Sequence, residues 1–405
     1  MSDVLPRETT STPVSGGVRP RLRSLDIVRG AVMVLMALDH VRVYSGLPPG
    51  GPTPGIFFTR WVTHFCAPAF IFLAGTGAFL HGRKLGNRAA LSRLLLTRGA
   101  WLVLLELTVL RVAWTFNFDF GHYLMAGVIW AIGWCMILLS LLVWLPGSAI
   151  TALAVIIVAG HNLVDPFMAQ LLPALRQSPI GWVWQVLYFG GPIRLGTDGP
   201  VLFVLYSIVP WIGAMAAGYA FGPVMLMEAA ERKRWCLRLG LAAIGAFVIL
   251  RGFNLYGDPV PWNAPETTYP PLLSFLNANK YPASLLFLLM TLGPTIAVIP
   301  VLERARGWWA DALATFGRVP FFYYVVHIPL IHAVALLVSL VRTGAVDPWL
   351  FANHPVMNPP APAGYTWSLG LLYLVFACVV AALYYPSRWF GDFKRRRRDA
   401  WLSYF

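Results

Sequence analysis

Charge is what this sequence has least of. Only 12% of its 405 residues are charged, against 58% hydrophobic, a balance too apolar for a soluble domain and suited to a polytopic membrane protein. Acids are scarcer than bases, 17 Asp and Glu against 31 Lys and Arg. Cysteine is nearly missing: Cys66, Cys135, Cys236 and Cys378 are scattered without a CxxC, so no disulfide framework or metal site follows from them. There is no phosphate-binding Gly-rich loop and no HExxH, which argues against nucleotide hydrolysis and zinc proteolysis. The start is polar and rich in Ser, Thr and Pro instead of carrying a cleavable signal, and predicts a disordered cytoplasmic tail over residues 1–20. No internal repeat is evident.

What the chain does have is long apolar runs. At the ~20-residue spanning length they fall at about 26–45, 61–81, 99–115, 124–145, 149–166, 200–221, 237–253, 284–302, 319–341 and 366–386. The expected fold is all-α: a polytopic transmembrane bundle of about ten spans forming one unit over 21–390, followed by a basic tail over 391–405. With both termini cytoplasmic, 22 of the 31 Lys and Arg residues lie inside and 5 outside, the bias that orients membrane proteins. The excess positive charge is therefore a topology signal spread over separate cytoplasmic pieces, and no nucleic-acid partner is expected; the run Lys394–Arg398 also suits anionic lipid. The outward connections 46–60, 167–199, 254–283 and 342–364 are long and poor in charge, as loops that cover a site tend to be.

The first run, RLRSLDIVRGAVMVLMALDH over 21–40, holds Asp26, Arg29, Asp39 and His40. A charge near mid-bilayer costs roughly 2.5–3.5 kcal/mol even on lenient scales, so such groups face a polar cavity. Arg29 and His40 are nearly three turns apart on one stripe, separated by roughly 16 Å. Asp26 is one turn before Arg29 and can pair with it; Asp39 points to another face. An alternative is a structural Asp26–Arg29 pair with an interior His40. His64 opens the second run, where an antiparallel pairing places it at the depth of His40. Two histidines there fit a general base and its partner, while an interfacial anchor explains His64 equally. Glu106 and Arg111 are five residues apart and each needs a partner on another helix. His122, His161 and Asp165 read as loop polarity, and His81 and His354 lie at loop edges.

The run FGRVPFFYYVVHIPLIHAVAL places His327 near mid-membrane, where it needs a hydrogen-bond partner, and His332 on another face beyond Pro329. In FLNANKYPAS, Asn277, Asn279 and Lys280 sit at an outward mouth. They fit contact with a polar acceptor, and Lys280 fits a snorkelling anchor as well.

Together LDxxRGxxxxxxxxxH at Leu25–His40, FCAPAFIFLAG, FGRVPFFYYVVHIPLIH and YPSRWFGDFKRRRRDAWLSY resemble the bacterial branch of the heparan-α-glucosaminide N-acetyltransferase family, within the integral-membrane acyltransferase superfamily. The resemblance implies acyl transfer from cytoplasmic acetyl-CoA to a sugar hydroxyl or amine of an envelope glycan or glycolipid on the outer side. Arg29, Asp26 and His40 match the superfamily motif positions, which implies donor binding by Arg29 with Asp26 and catalysis by His40; the reading of the residues adds His64 and Asp39 to the catalytic group and His327, Lys280 and Asn277 as acceptor contacts, with no metal expected. A proton-coupled transporter of a small anionic solute uses the same intramembrane residue types, although no inverted repeat supports one.

Overall fold

The computed structural model describes residues 22–50, 53–265, 267–353, 360–397, 399 and 401–402. The proposed tail at 1–20, the three arginines at 7, 19 and 21, His354 and parts of the basic tail lie outside the described residues. Each apolar run falls on a helix: α1 (Arg23–Tyr44), α2 (Pro54–Leu85), α3 (88–115), α4 (Val128–Leu142), α5 (Gly147–Gly160), α7 (Ile208–Phe221), α8 (Ala229–Gly252), α10 (Leu285–Leu302), α12 (Pro320–Thr343) and α13 (Leu369–Arg396), with the shorter α6 (Asp165–Gln177), α9 (Pro271–Leu276) and α11 (Trp308–Arg318) between them. Among the described residues, seven helices are long and apolar enough to cross a membrane: α2, Gly147–Met168 (α5 extended), Ile208–Leu226 (α7 extended), α8, α10, α12 and α13. α4 is apolar but shorter, and α1 carries Asp26, Arg29 and Asp39 within its length.

Two runs begin as strands. Tyr123–Ala126 (β1) and Val201–Val204 (β3) pair in parallel, and Gly191–Arg194 (β2) pairs antiparallel with β3, in the order β1-β3-β2. Four-residue apolar pieces leading into a helix carry no periodicity that separates strand from helix. α11 lies between two of the apolar runs, at 284–302 and 319–341. Its buried face is Ala310, Ala314, Phe316 and Gly317, while Trp308 and Trp309 face outward.

α1 sits at the centre, packed against α11, α12, α13, α2 and α10. Small residues let backbones meet, as in membrane bundles generally. A Cβ on Gly317 would stand 1.8 Å from the Asp26 carbonyl oxygen, and one on Gly30 the same distance from that of Leu313. α2 and α7 meet likewise, where a Cβ on Gly218 would lie 1.9 Å from the Phe72 oxygen. The start of α1 and the end of α13 share one end of the bundle: Arg23 binds Asp311 of α11 at 2.5 Å, and Phe390 packs with Val319 and Leu402. This is the basic end; the sheet and the long connections cap the other, the loop end.

Candidate functional site

Two cavities approach each other along α1. The first, ≈ 530 Å³, opens among Arg29, His81, Arg98, Arg318 and Lys394 at the basic end and runs inward between apolar walls to Val128 and Tyr324. The second, ≈ 480 Å³, starts from the loop end and is lined by Asp39, His40, Arg60, Glu106 and Trp114, again with Val128 and Tyr324. Those two residues are a wall common to both. Arg29 therefore serves one cavity and His40 the other, as their spacing on α1 requires.

Arg29 lies 3.6 Å from Asp26 and donates to the Leu73 carbonyl at 3.3 Å. Gly77 leaves it room, since a Cβ there would stand 3.2 Å from its terminal nitrogen. The expected Asp26–Arg29 pair thus forms, and Arg29 still lines the cavity. Arg98, Arg318 and Lys394, which the sequence shows only as orienting charge, line the same mouth.

His40 meets His327, not His64. His40 Nδ1 and His327 Nε2 are 2.7 Å apart with the rings stacked, and both side chains are buried. His327 Nδ1 faces the carbonyl oxygens of Tyr324 at 2.7 Å and Tyr323 at 3.1 Å. Carbonyls only accept, so His327 Nδ1 bears the hydrogen. With both rings neutral, His327 Nε2 is then the acceptor and His40 donates from Nδ1. That leaves His40 Nε2 as a lone pair, on a ring braced edge-on by Trp114 at 4.6 Å. Tyr44 in turn holds Trp114 by donating to its carbonyl at 2.6 Å. The sequence pointed to a partner for His327 without showing which.

Asp39 is clamped by Arg42 at 3.1 Å and Arg60 at 3.0 Å, while it lines the second cavity beside His40. His64 packs edge-on against Phe287 at 5.4 Å and, with Lys280 and Asn277, lines a third cavity beside the second. The Asn277 carbonyl accepts from Arg251 at 3.2 Å. Glu106 is fully buried in a π turn of α3, at Glu106–Leu110, without a side-chain partner among the described residues. Its carboxylate lies against Gly127, where a Cβ would meet Oε1 at 2.2 Å. Such turns re-aim a side chain and are frequent at functional sites.

Other groups are structural. Arg111 binds the carbonyls of Tyr123, Asn117 and Asp119 and the Asn353 side chain, tying the 116–122 turn to the 342–353 segment. His161 engages the carbonyls of Ile157 and Ala283, Asp165 accepts from Tyr188 at 2.5 Å, and the exposed His122 pairs with Asp119. His332 is stacked on Phe116 and Tyr44.

Two cavities thus meet near a buried histidine pair, inside a bundle of apolar helices. The chain belongs to the heparan-alpha-glucosaminide N-acetyltransferase catalytic family, whose profile matches residues 21–252. Membership makes it a transmembrane acetyltransferase, with acetyl-CoA as the implied donor. His327 lies beyond the matched segment, so the partner of His40 comes from the remainder of the chain. No curated protein matches the sequence.

Proposed function

We propose that the protein moves an acetyl group from cytoplasmic acetyl-CoA to an amine or hydroxyl of a sugar on the far side of a bacterial inner membrane, with the basic end facing the cytoplasm. The observation that carries this reading is the pair of cavities separated at Val128 and Tyr324, with cations around the mouth of one and the lone pair of His40 serving the other. Arg29, Arg98, Arg318 and Lys394 suit the phosphates of a CoA, which guanidinium groups hold by charge-assisted hydrogen bonds. The apolar walls toward Tyr324 suit the pantetheine arm and exclude water, which limits thioester hydrolysis.

In the transfer step His40 Nε2 takes the proton from the acceptor nitrogen or oxygen as that atom attacks the thioester carbonyl. The C–S bond then breaks, the thiolate leaves, and the proton passes from His40 to the sulfur. His327 keeps His40 in the productive tautomer and stabilises the imidazolium formed on the way, because its Nε2 accepts from His40 Nδ1 throughout. Proton transfer of this kind contributes about 10²–10⁴-fold. Glu106 accepts a hydrogen bond from the acceptor in the second cavity.

The test is acetyl-CoA binding and turnover by the purified protein in nanodiscs, with glucosamine as the acceptor. Binding falls in Arg29→Ala, whereas in His40→Ala binding persists and turnover is lost. Absence of acetyl-CoA binding in the wild type would overturn the proposal, and the intramembrane charges would then belong to a transporter.

A further inference from the structure

The third cavity, ≈ 530 Å³, shares Arg60 and Tyr281 with the second and extends toward the loop end along His64, Arg251, Asp258, Asn277, Asn279 and Lys280. Its charges do not balance. Asp39 is taken by Arg42 and Arg60. Asp258 lies 3.5 Å from Arg251 and also accepts from the Asn279 backbone and the Ser284 hydroxyl. Its oxygens are thus occupied by Arg251 and these donors, so it offers no carboxylate to a further cation.

Lys280 is left over. It is only 7% exposed, has no carboxylate partner among the described residues, and rests its ammonium near the rings of Tyr281 at 5.2 Å and Tyr206 at 5.8 Å. It is not the snorkelling anchor that the sequence allowed. His64, equally buried, lines the same space with Nδ1 unbonded. A buried ammonium without a carboxylate in ion-pair contact is costly unless something pairs with it. The walls that could seat a ring are Phe57, Trp61 and Tyr269, the aromatic faces against which amphipathic ligands pack.

We infer that this cavity is an anion subsite for the acceptor, in which Lys280 and His64 receive a phosphate or carboxylate carried by the sugar whose amine or hydroxyl reaches His40 next door. Arg60 and Tyr281, common to both cavities, would lie along the sugar between its anionic group and its reacting group. This rests on the acyl-transfer reading for the identity of the neighbouring chamber, but the excess of buried positive charge stands without it. A lipid headgroup offers the same phosphate chemistry, so the experiment separates the two sources.

Glucosamine and glucosamine 6-phosphate are titrated into the full-length protein in phosphatidylcholine nanodiscs, reading tryptophan fluorescence, for wild type, Lys280→Gln and Lys280→Arg. Acetyl-CoA binding is measured on the same samples to show that each variant is folded. The wild type should prefer the phosphate ester by roughly 10- to 100-fold, as a charge-assisted contact in a desolvated site gives. The preference should collapse in Lys280→Gln and survive in Lys280→Arg. Equal binding of the two sugars by the wild type, or a preference that outlives Lys280→Gln, overturns the inference. Repeating the titration in phosphatidylglycerol nanodiscs identifies the source: an unchanged preference supports the sugar, and its loss to competing lipid overturns the acceptor assignment in favour of a headgroup. If acetyl-CoA binding and its Arg29 dependence fail while the preference holds, the acyl-transfer reading falls and the anion site remains; the converse result removes only the subsite.

Discussion

Replacing His327 with Phe should cripple turnover while leaving both substrates bound. The ring volume is nearly kept, but the acceptor that receives His40 Nδ1 at 2.7 Å is gone. His40 is then free to place its hydrogen on Nε2, the nitrogen that must be bare to take the acceptor's proton, and the imidazolium formed in the step loses its stabilising partner. Loss of a group that fixes the tautomer of a catalytic histidine costs up to about 10⁴-fold, and general-base catalysis as a whole contributes about 10²–10⁴-fold. A fall in kcat of about 10²–10⁴ is therefore expected, or about 3–5 kcal/mol at 1.36 kcal/mol per decade. His327→Gln is the control, because its amide oxygen can accept from His40 Nδ1; it should recover at least tenfold over the Phe variant. The assay is thiol release from acetyl-CoA with glucosamine present, alongside acetyl-CoA titration of each variant. Full kcat in His327→Phe, or Gln and Phe variants equally impaired, would refute the tautomer argument and leave His327 as packing.

Arg29→Ala should weaken acetyl-CoA binding by roughly 10- to 100-fold, the scale of a hydrogen bond to a charged group, with little change in acceptor KM; equilibrium binding of labelled donor decides it. Glu106→Gln should raise the acceptor KM by about tenfold while donor affinity holds, and a shift in donor affinity instead would move Glu106 to the other cavity. Gly317→Ala, which sets a methyl 1.8 Å from the Asp26 carbonyl, should destabilise the protein by roughly 1–3 kcal/mol or more, seen as a lower Tm in detergent; an unchanged Tm would mean that α1 and α11 do not cross at contact.

The helices were readable because twenty-residue apolar runs leave few alternatives, and the α1 stripe was readable because helical geometry alone sets Arg29 against His40. The partner of His40 was not. Pairing α1 with α2 as an antiparallel hairpin fixes the depth of His64 but not its rotation about the helix axis, and that rotation carries it to the third cavity. His327 reaches His40 across 287 positions of sequence, a contact no local pattern encodes. Arg98, Arg318 and Lys394 looked like orienting charge because a cation at the border of a bundle and a cation at the mouth of a passage starting there read alike in a sequence. α11 was missed for another reason: with 11 residues it falls well short of the spanning length by which the other helices stand out.

The wall at Val128 and Tyr324 has an electrical consequence. On the proposed function, the two cavities enter the bundle from opposite sides of the membrane and meet at this wall, so part of the membrane voltage falls across it. In the proposed transfer the acetyl group is neutral and crosses without electrical work. The proton that leaves the acceptor and ends on the thiolate crosses the same gap the other way, and a unit charge moved through the full potential is worth about 2.3 kcal/mol per 100 mV. In sealed vesicles the turnover rate should therefore respond to an imposed potential, placing this transferase in the circuit of its membrane, a coupling that detergent erases.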